Sequence, residues 1–75
     1  MTHSTLLQWL HNRPFQAFEL VMSNGERYSV RHPENALLLQ TNVILGGRES
    51  NEWKELALLH IASVERLKAT ESIAG

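Results

Sequence analysis

The stretch Phe18-Glu19-Leu20-Val21-Met22-Ser23-Asn24-Gly25-Glu26-Arg27-Tyr28-Ser29-Val30 decides the fold. Phe18, Leu20 and Met22 alternate with Glu19, Val21 and Ser23; beyond Asn24-Gly25, Tyr28 and Val30 alternate with Arg27, Ser29 and Arg31. Asn-Gly between two alternating runs marks a β-hairpin. Parity then selects the loop, because directly opposed residues of an antiparallel pair share one face. A two-residue loop at Asn24-Gly25 sets Met22 against Arg27 and Leu20 against Ser29. A three-residue loop, Ser23-Asn24-Gly25, sets Leu20 against Tyr28 and Phe18 against Val30, so every large apolar group lies on one side. The sequence therefore predicts a type I turn followed by Gly25 in the left-handed conformation, a G1-bulge hairpin.

Working outward, residues 4–12 read as a short helix. Thr5 and Gln8 have capping-box spacing, and Ser4 is an alternative cap. Leu6, Leu7 and Leu10 share a face with Trp9 at its margin. Pro14 disfavours the helical conformation at Arg13, so the helix should stop near Asn12. A helix this short is marginal alone and must lie on something apolar. On the other side of the hairpin, Pro33 cannot donate to a ladder and ends the second strand. His32-Pro33-Glu34-Asn35 is then a turn or a single helical turn. Residues 36–40 and 43–46 read as strands, with Thr41-Asn42 either a tight turn or a bulge in one long strand. Gly46 to Glu52 reads as a polar loop, residues 53–61 as the longest strand, 64–67 as a last short strand, and 69–75 as a frayed tail.

Several short strands at close spacing in a single domain of 75 residues give the fold class: mainly β with one N-terminal helix, a small, strongly bent antiparallel barrel. A chain of this length buries only about 60% of the surface its unfolded form exposes. Small domains usually add a staple. There is no Cys, which excludes disulfides and fits a reducing cytoplasm. Four scattered His without thiolates make poor zinc ligands, and no metal or other cofactor is expected. Association with a second copy is the staple left. Seven basic against eight acidic residues give a net charge of −1, with no basic run announcing nucleic acid or a membrane surface. No apolar stretch approaches the roughly 20 residues that cross a bilayer, and Met1-Thr2-His3-Ser4 lacks the features of a signal peptide. The protein is expected to be cytoplasmic.

Two resemblances attach to these residues. Arg13-Pro14-Phe15, the hairpin from Phe18 to Val30, Val30-Arg31-His32-Pro33-Glu34 and Leu58-Leu59-His60-Ile61 resemble the pattern of a family of short bacterial proteins that brings no activity with it. The order of elements is also similar to that of Sm-like proteins of the Hfq type, with a helix and five bent strands in an Sm/SH3-like barrel. Asn24-Gly25, the run Glu34 to Asn42, and Leu58-Leu59-His60 before Ser63-Val64 stand where that pattern has its first turn, third strand and fourth strand end. The resemblance implies a ring formed by strand addition and an affinity for RNA. Leu59 stands where the RNA-contacting Lys is expected, and only His60 matches that signature.

The residues singled out for ligand or interface contact are Arg31, His32, Trp53, Leu59, His60 and Ile61. Arg31 and His32 form the densest polar cluster and could hold an anion; equally, Arg31 could pair with Glu34 or Glu19. His60 lies in an apolar strand and needs a hydrogen-bond partner, either backbone, Glu55 or Glu65, or else a ligand. Trp53 suits a base-stacking or partner surface if exposed, and a core or barrel rim if not. Ala57, Leu59 and Ile61 share one face of the long strand, with Leu56 and Leu58 on the other, so either the helix or another subunit must cover the outer face. No nucleophile-and-base set, Gly-x-Ser-x-Gly or phosphate loop is present, so no catalytic residues and no enzyme activity are expected. The expected function is a binding or assembly module that associates with itself or another protein; the alternative is an Sm-like RNA-binding ring.

Overall fold

β1 (Phe18–Met22) and β2 (Arg27–Val30) pair antiparallel, with Phe18 opposite Val30 and Leu20 opposite Tyr28. This is the register of the three-residue loop. Met22 N–H donates to Glu26 O at 2.8 Å, and Gly25 N–H donates to Met22 O at 2.9 Å. Gly25 has φ +93°, where a side chain costs about 1–2 kcal/mol. Asn24 Oδ1 accepts from Glu26 N–H at 3.0 Å and closes the tip.

The computed structural model describes residues 1–47 and 50–67. The expected frayed tail, 69–75, lies outside them, as do Arg48 and Glu49 of the expected polar loop. α1 (His3–Leu10) starts and stops earlier than the 4–12 read from sequence. Its cap is Thr2, not Ser4 or Thr5: Thr2 Oγ1 accepts from Thr5 N–H at 3.2 Å. Leu6 and Leu10, one turn apart, are buried; Trp9 packs its ring 5.4 Å from that of Phe18. The Arg13–Pro14 peptide beyond the helix is cis.

After β2, Pro33–Asn35 forms a single 3-10 turn with Pro in its first turn. β3 (Ala36–Leu38) and β4 (Asn42–Gly47) follow, paired with Leu38 opposite Val43 and Ala36 opposite Leu45. Leu39 N–H donates to Asn42 O at 2.7 Å, so the open choice between tight turn and bulge resolves as a tight turn. β5 (Ser50–Ala57) runs back along β4, with Val43 opposite Leu56 and Gly46 opposite Trp53. The expected polar loop from Gly46 to Glu52 is thereby corrected: residues 46–47 and 50–52 belong to β4 and β5, with an irregularity between Gly46 and Gly47 that absorbs the extra residues.

The long strand expected over 53–61 is also corrected. Leu58–His60 form a second 3-10 turn, and β6 (Ile61–Arg66) begins where the long strand was to end. The turn breaks the period of two. Leu56, Leu58 and Ile61 all point inward, while Leu59 is 86% exposed. β6 returns to β1, placing Leu20 opposite Val64.

The result is two three-stranded antiparallel sheets, β2-β1-β6 and β3-β4-β5, rather than a closed barrel. A barrel needs strands that bend from one sheet into the other without losing their ladders. Both places where this chain passes between sheets are 3-10 turns, whose i→i+3 bonds interrupt pairing. The sheets instead face each other over a shared core. Phe18, Leu20, Met22, Val30 and Ile61 come from the first, Val43 and Leu56 from the second, and Leu6, Leu10 and Leu58 join them.

Candidate functional site

β5 is an edge strand of its sheet and β2 an edge strand of the other, and two shallow grooves run between them. Each has a volume of about 400 Å³. Tyr28 and Lys54 contribute to both and divide them. Parity explains their meeting. Tyr28 is on the inward face of β2 and Lys54 is opposite Leu45 on the inward face of β5, both near the open side of the core. Lys54 Nζ lies 5.7 Å from the centre of the Tyr28 ring, a cation–π geometry.

The first groove holds Glu26, Asn24 and Ser23 of the hairpin tip against Glu55, Ala57 and His60. Tyr28 Oη donates to Glu26 Oε1 at 2.9 Å, and Asn24 Nδ2 donates to the same oxygen at 3.2 Å. The Asn24 bond, then the Tyr28 bond, hold the Glu26 carboxyl below its ordinary value of 4.5, and the Lys54 charge acts in the same direction. The second groove is lined by Arg27, Tyr28, Ser29, Leu45, Gly46, Trp53 and Lys54. Arg27 Nη1 donates to Glu19 at 2.7 Å and to Glu65 at 3.2 Å, and these carboxylates, Glu19 first, raise the guanidinium pKa further.

Trp53 is 72% exposed, which sets aside the core reading. Its ring lies over Gly46 of the neighbouring strand: a Cβ at Gly46 would come within 3.2 Å of Trp53 Cε3. The glycine therefore leaves room for one face of the indole to rest on β4. The outer face of the same sheet carries Leu37, 55% exposed, opposite Ile44.

Of the residues read from sequence, Trp53 lines the second groove and His60 the first. Leu59 is adjacent, in the 3-10 turn. His60 is exposed and lies in that turn, not in a strand; its main-chain O, not its ring, is held, accepting from Ser23 N–H at 2.8 Å and Ser23 Oγ at 3.2 Å. Glu55 accepts instead from Asn42 Nδ2 at 3.0 Å. Ile61 is 3% exposed and belongs to the core, so its reading as a contact residue is corrected. Arg31 and His32 are exposed between β2 and the first 3-10 turn and line neither groove; Glu19 is engaged by Arg27 rather than by Arg31. Sequence reasoning missed Tyr28, Lys54 and Glu26. Tyr28 fits the core pattern of the hairpin, but a Lys at an inward position of a strand is a signal that its ammonium emerges at a rim.

Among the described residues no three or more His, Asp or Glu gather as a metal site. No helix of the described residues is long and apolar enough to cross a membrane. Compared with models of protein families, with curated proteins and with solved structures, the chain matches none.

Proposed function

We propose that the chain is a non-enzymatic assembly module that joins copies of itself edge to edge, in an Sm/SH3-like arrangement of its strands. One observation carries this reading. Leu59, the most exposed of the large apolar side chains among the described residues, sits in the three-residue turn joining β5 and β6, and both of those strands are sheet edges. Open edges present unpaired N–H and C=O groups that template pairing with another chain. β5 has eight residues and β6 six, the two longest edges. Pairing of β5 from one copy with β6 of the next is heterologous, so it closes into a ring or extends as a filament. Either outcome would cover the corner where Leu59 projects. The return of the last strand to the first, β6 on β1, supports the Sm-like arrangement.

Light scattering or native mass spectrometry on the wild-type chain and on Leu59→Glu tests this. The expected result is an oligomer for the wild type and a smaller species for the variant, with unchanged circular dichroism. A wild-type chain that remains monomeric at high micromolar concentration removes the proposal.

A further inference from the structure

We propose that the second groove binds an aromatic base carrying a phosphate, with the base stacked on Trp53 and the phosphate at Lys54. This goes beyond self-association and does not depend on it. The indole rests against Gly46 on one side and is 72% exposed, so it offers its remaining surface to solvent. Base–aromatic stacking uses such a surface and tolerates any base, because every base has a π-face. Lys54 follows Trp53 in the chain, so their side chains leave opposite faces of β5, yet both line this groove at the open edge of that strand, where the Lys54 ammonium lies over Tyr28. Among the described residues lining this groove there are two cations and no carboxylate, whereas Glu26 and Glu55 line the other one. The charge of the second groove thus favours an anion, and its aromatic walls favour a planar one.

The scale of the site limits the ligand further. A volume of about 400 Å³ is at the small end for ligand clefts and suits one nucleotide, not a duplex. Arg27 is already shared between Glu19 and Glu65, and the Lys54 charge also acts on Glu26, so Lys54 supplies one partly balanced positive charge and one phosphate is the expected number. The formal net charge of −1 offers no long-range attraction for a polyanion, which agrees with a local contact. Free nucleoside monophosphates and single-stranded nucleic acid share this chemistry.

Trp9→Phe leaves Trp53 as the sole indole of the chain, so its emission reports the site. This variant is titrated with uridine and adenosine monophosphates and with short oligo-U and oligo-A of RNA and DNA. The expected result is saturable quenching of Trp53. Equal affinity per site for monomer and oligomer assigns a free nucleotide; affinity that grows with length assigns a single strand. Lys54→Gln should weaken binding about tenfold and remove most of its salt dependence, whose slope for one phosphate of a single strand is about 0.7. Trp53→Ala, read by calorimetry on the otherwise unaltered chain, should also weaken binding tenfold or more. Two results overturn the proposal: no quenching by any of these ligands at millimolar concentration, or quenching that Lys54→Gln leaves unchanged. A shift of Trp53 emission with protein concentration alone, without a response to nucleotide, would instead give this face to a second copy.

Discussion

At the scale of single residues, Gly25 and Gly46 show two different reasons for having no side chain. Gly25 has φ +93° and nothing within 4 Å of where a Cβ would stand, so a substitution there meets empty space but a strained backbone. Gly25→Ala should destabilise the chain by about 1–2 kcal/mol, and Gly25→Asn by less, since Asn tolerates the left-handed region. Urea denaturation of the three proteins checks this order. Equal losses for Ala and Asn would mean that the turn relaxes to another type. Gly46 has an ordinary backbone and a crowded surface, because the Trp53 ring would lie 3.2 Å from its Cβ. Asn24-Gly25 is legible in the sequence because the turn type and the parity of the flanking strands agree. The pairing of Gly46 with Trp53 is not, because six residues lie between them and the register irregularity at Gly46/Gly47 decides which residues meet.

At the scale of elements, the turn at Leu58–His60 shows what alternation cannot reveal. Leu56, Leu58, Leu59 and Ile61 look like one strand buried on both sides, since no Gly or Pro interrupts them. The 3-10 turn instead rotates successive side chains by about a third of a circle, so Leu58 enters the core and Leu59 leaves it. A backbone bond holds the turn in place: Leu58 N–H donates to Thr41 O at 2.9 Å, in the β3–β4 turn. That partner is 17 residues away in sequence, which is why local reading extends the strand. Two adjacent leucines should therefore behave in opposite ways. Leu58→Ala, at 4% exposure, should cost about 2–5 kcal/mol, while Leu59→Ala should change the stability of the isolated chain by less than about 0.5 kcal/mol. Chemical denaturation at low protein concentration measures both. A large loss at Leu59 under those conditions would show a role inside one copy and count against an intermolecular one. The site was only half legible for the same reason. Trp53 and His60 were found as large or polar residues in an apolar run, whereas Tyr28 and Lys54 become a pair only when two sheet edges come face to face.

At the scale of the whole molecule, the two sheets leave four edges among the described residues, β2, β6, β3 and β5, where a closed barrel would leave none. A domain of 75 residues has little core to offset this exposure, and among the described residues ten buried apolar side chains hold both sheets and the helix together. Stability should then be linked to association. A partner that binds only the folded chain raises its stability in proportion to the logarithm of partner concentration. When the partner is another copy, the thermal midpoint must rise with protein concentration. The wild-type midpoint should climb steadily over a hundredfold concentration range, and that of Leu59→Glu should stay level, because its exposed carboxylate opposes burial of the corner between β5 and β6 without disturbing the core. At the lowest concentration the two midpoints should converge, since the isolated folds are the same. Calorimetry across that range decides the matter. Parallel slopes would place the association surface elsewhere, on the Leu37–Ile44–Trp53 face of the second sheet, and a level wild-type midpoint would mean that one copy is stable with all four edges open.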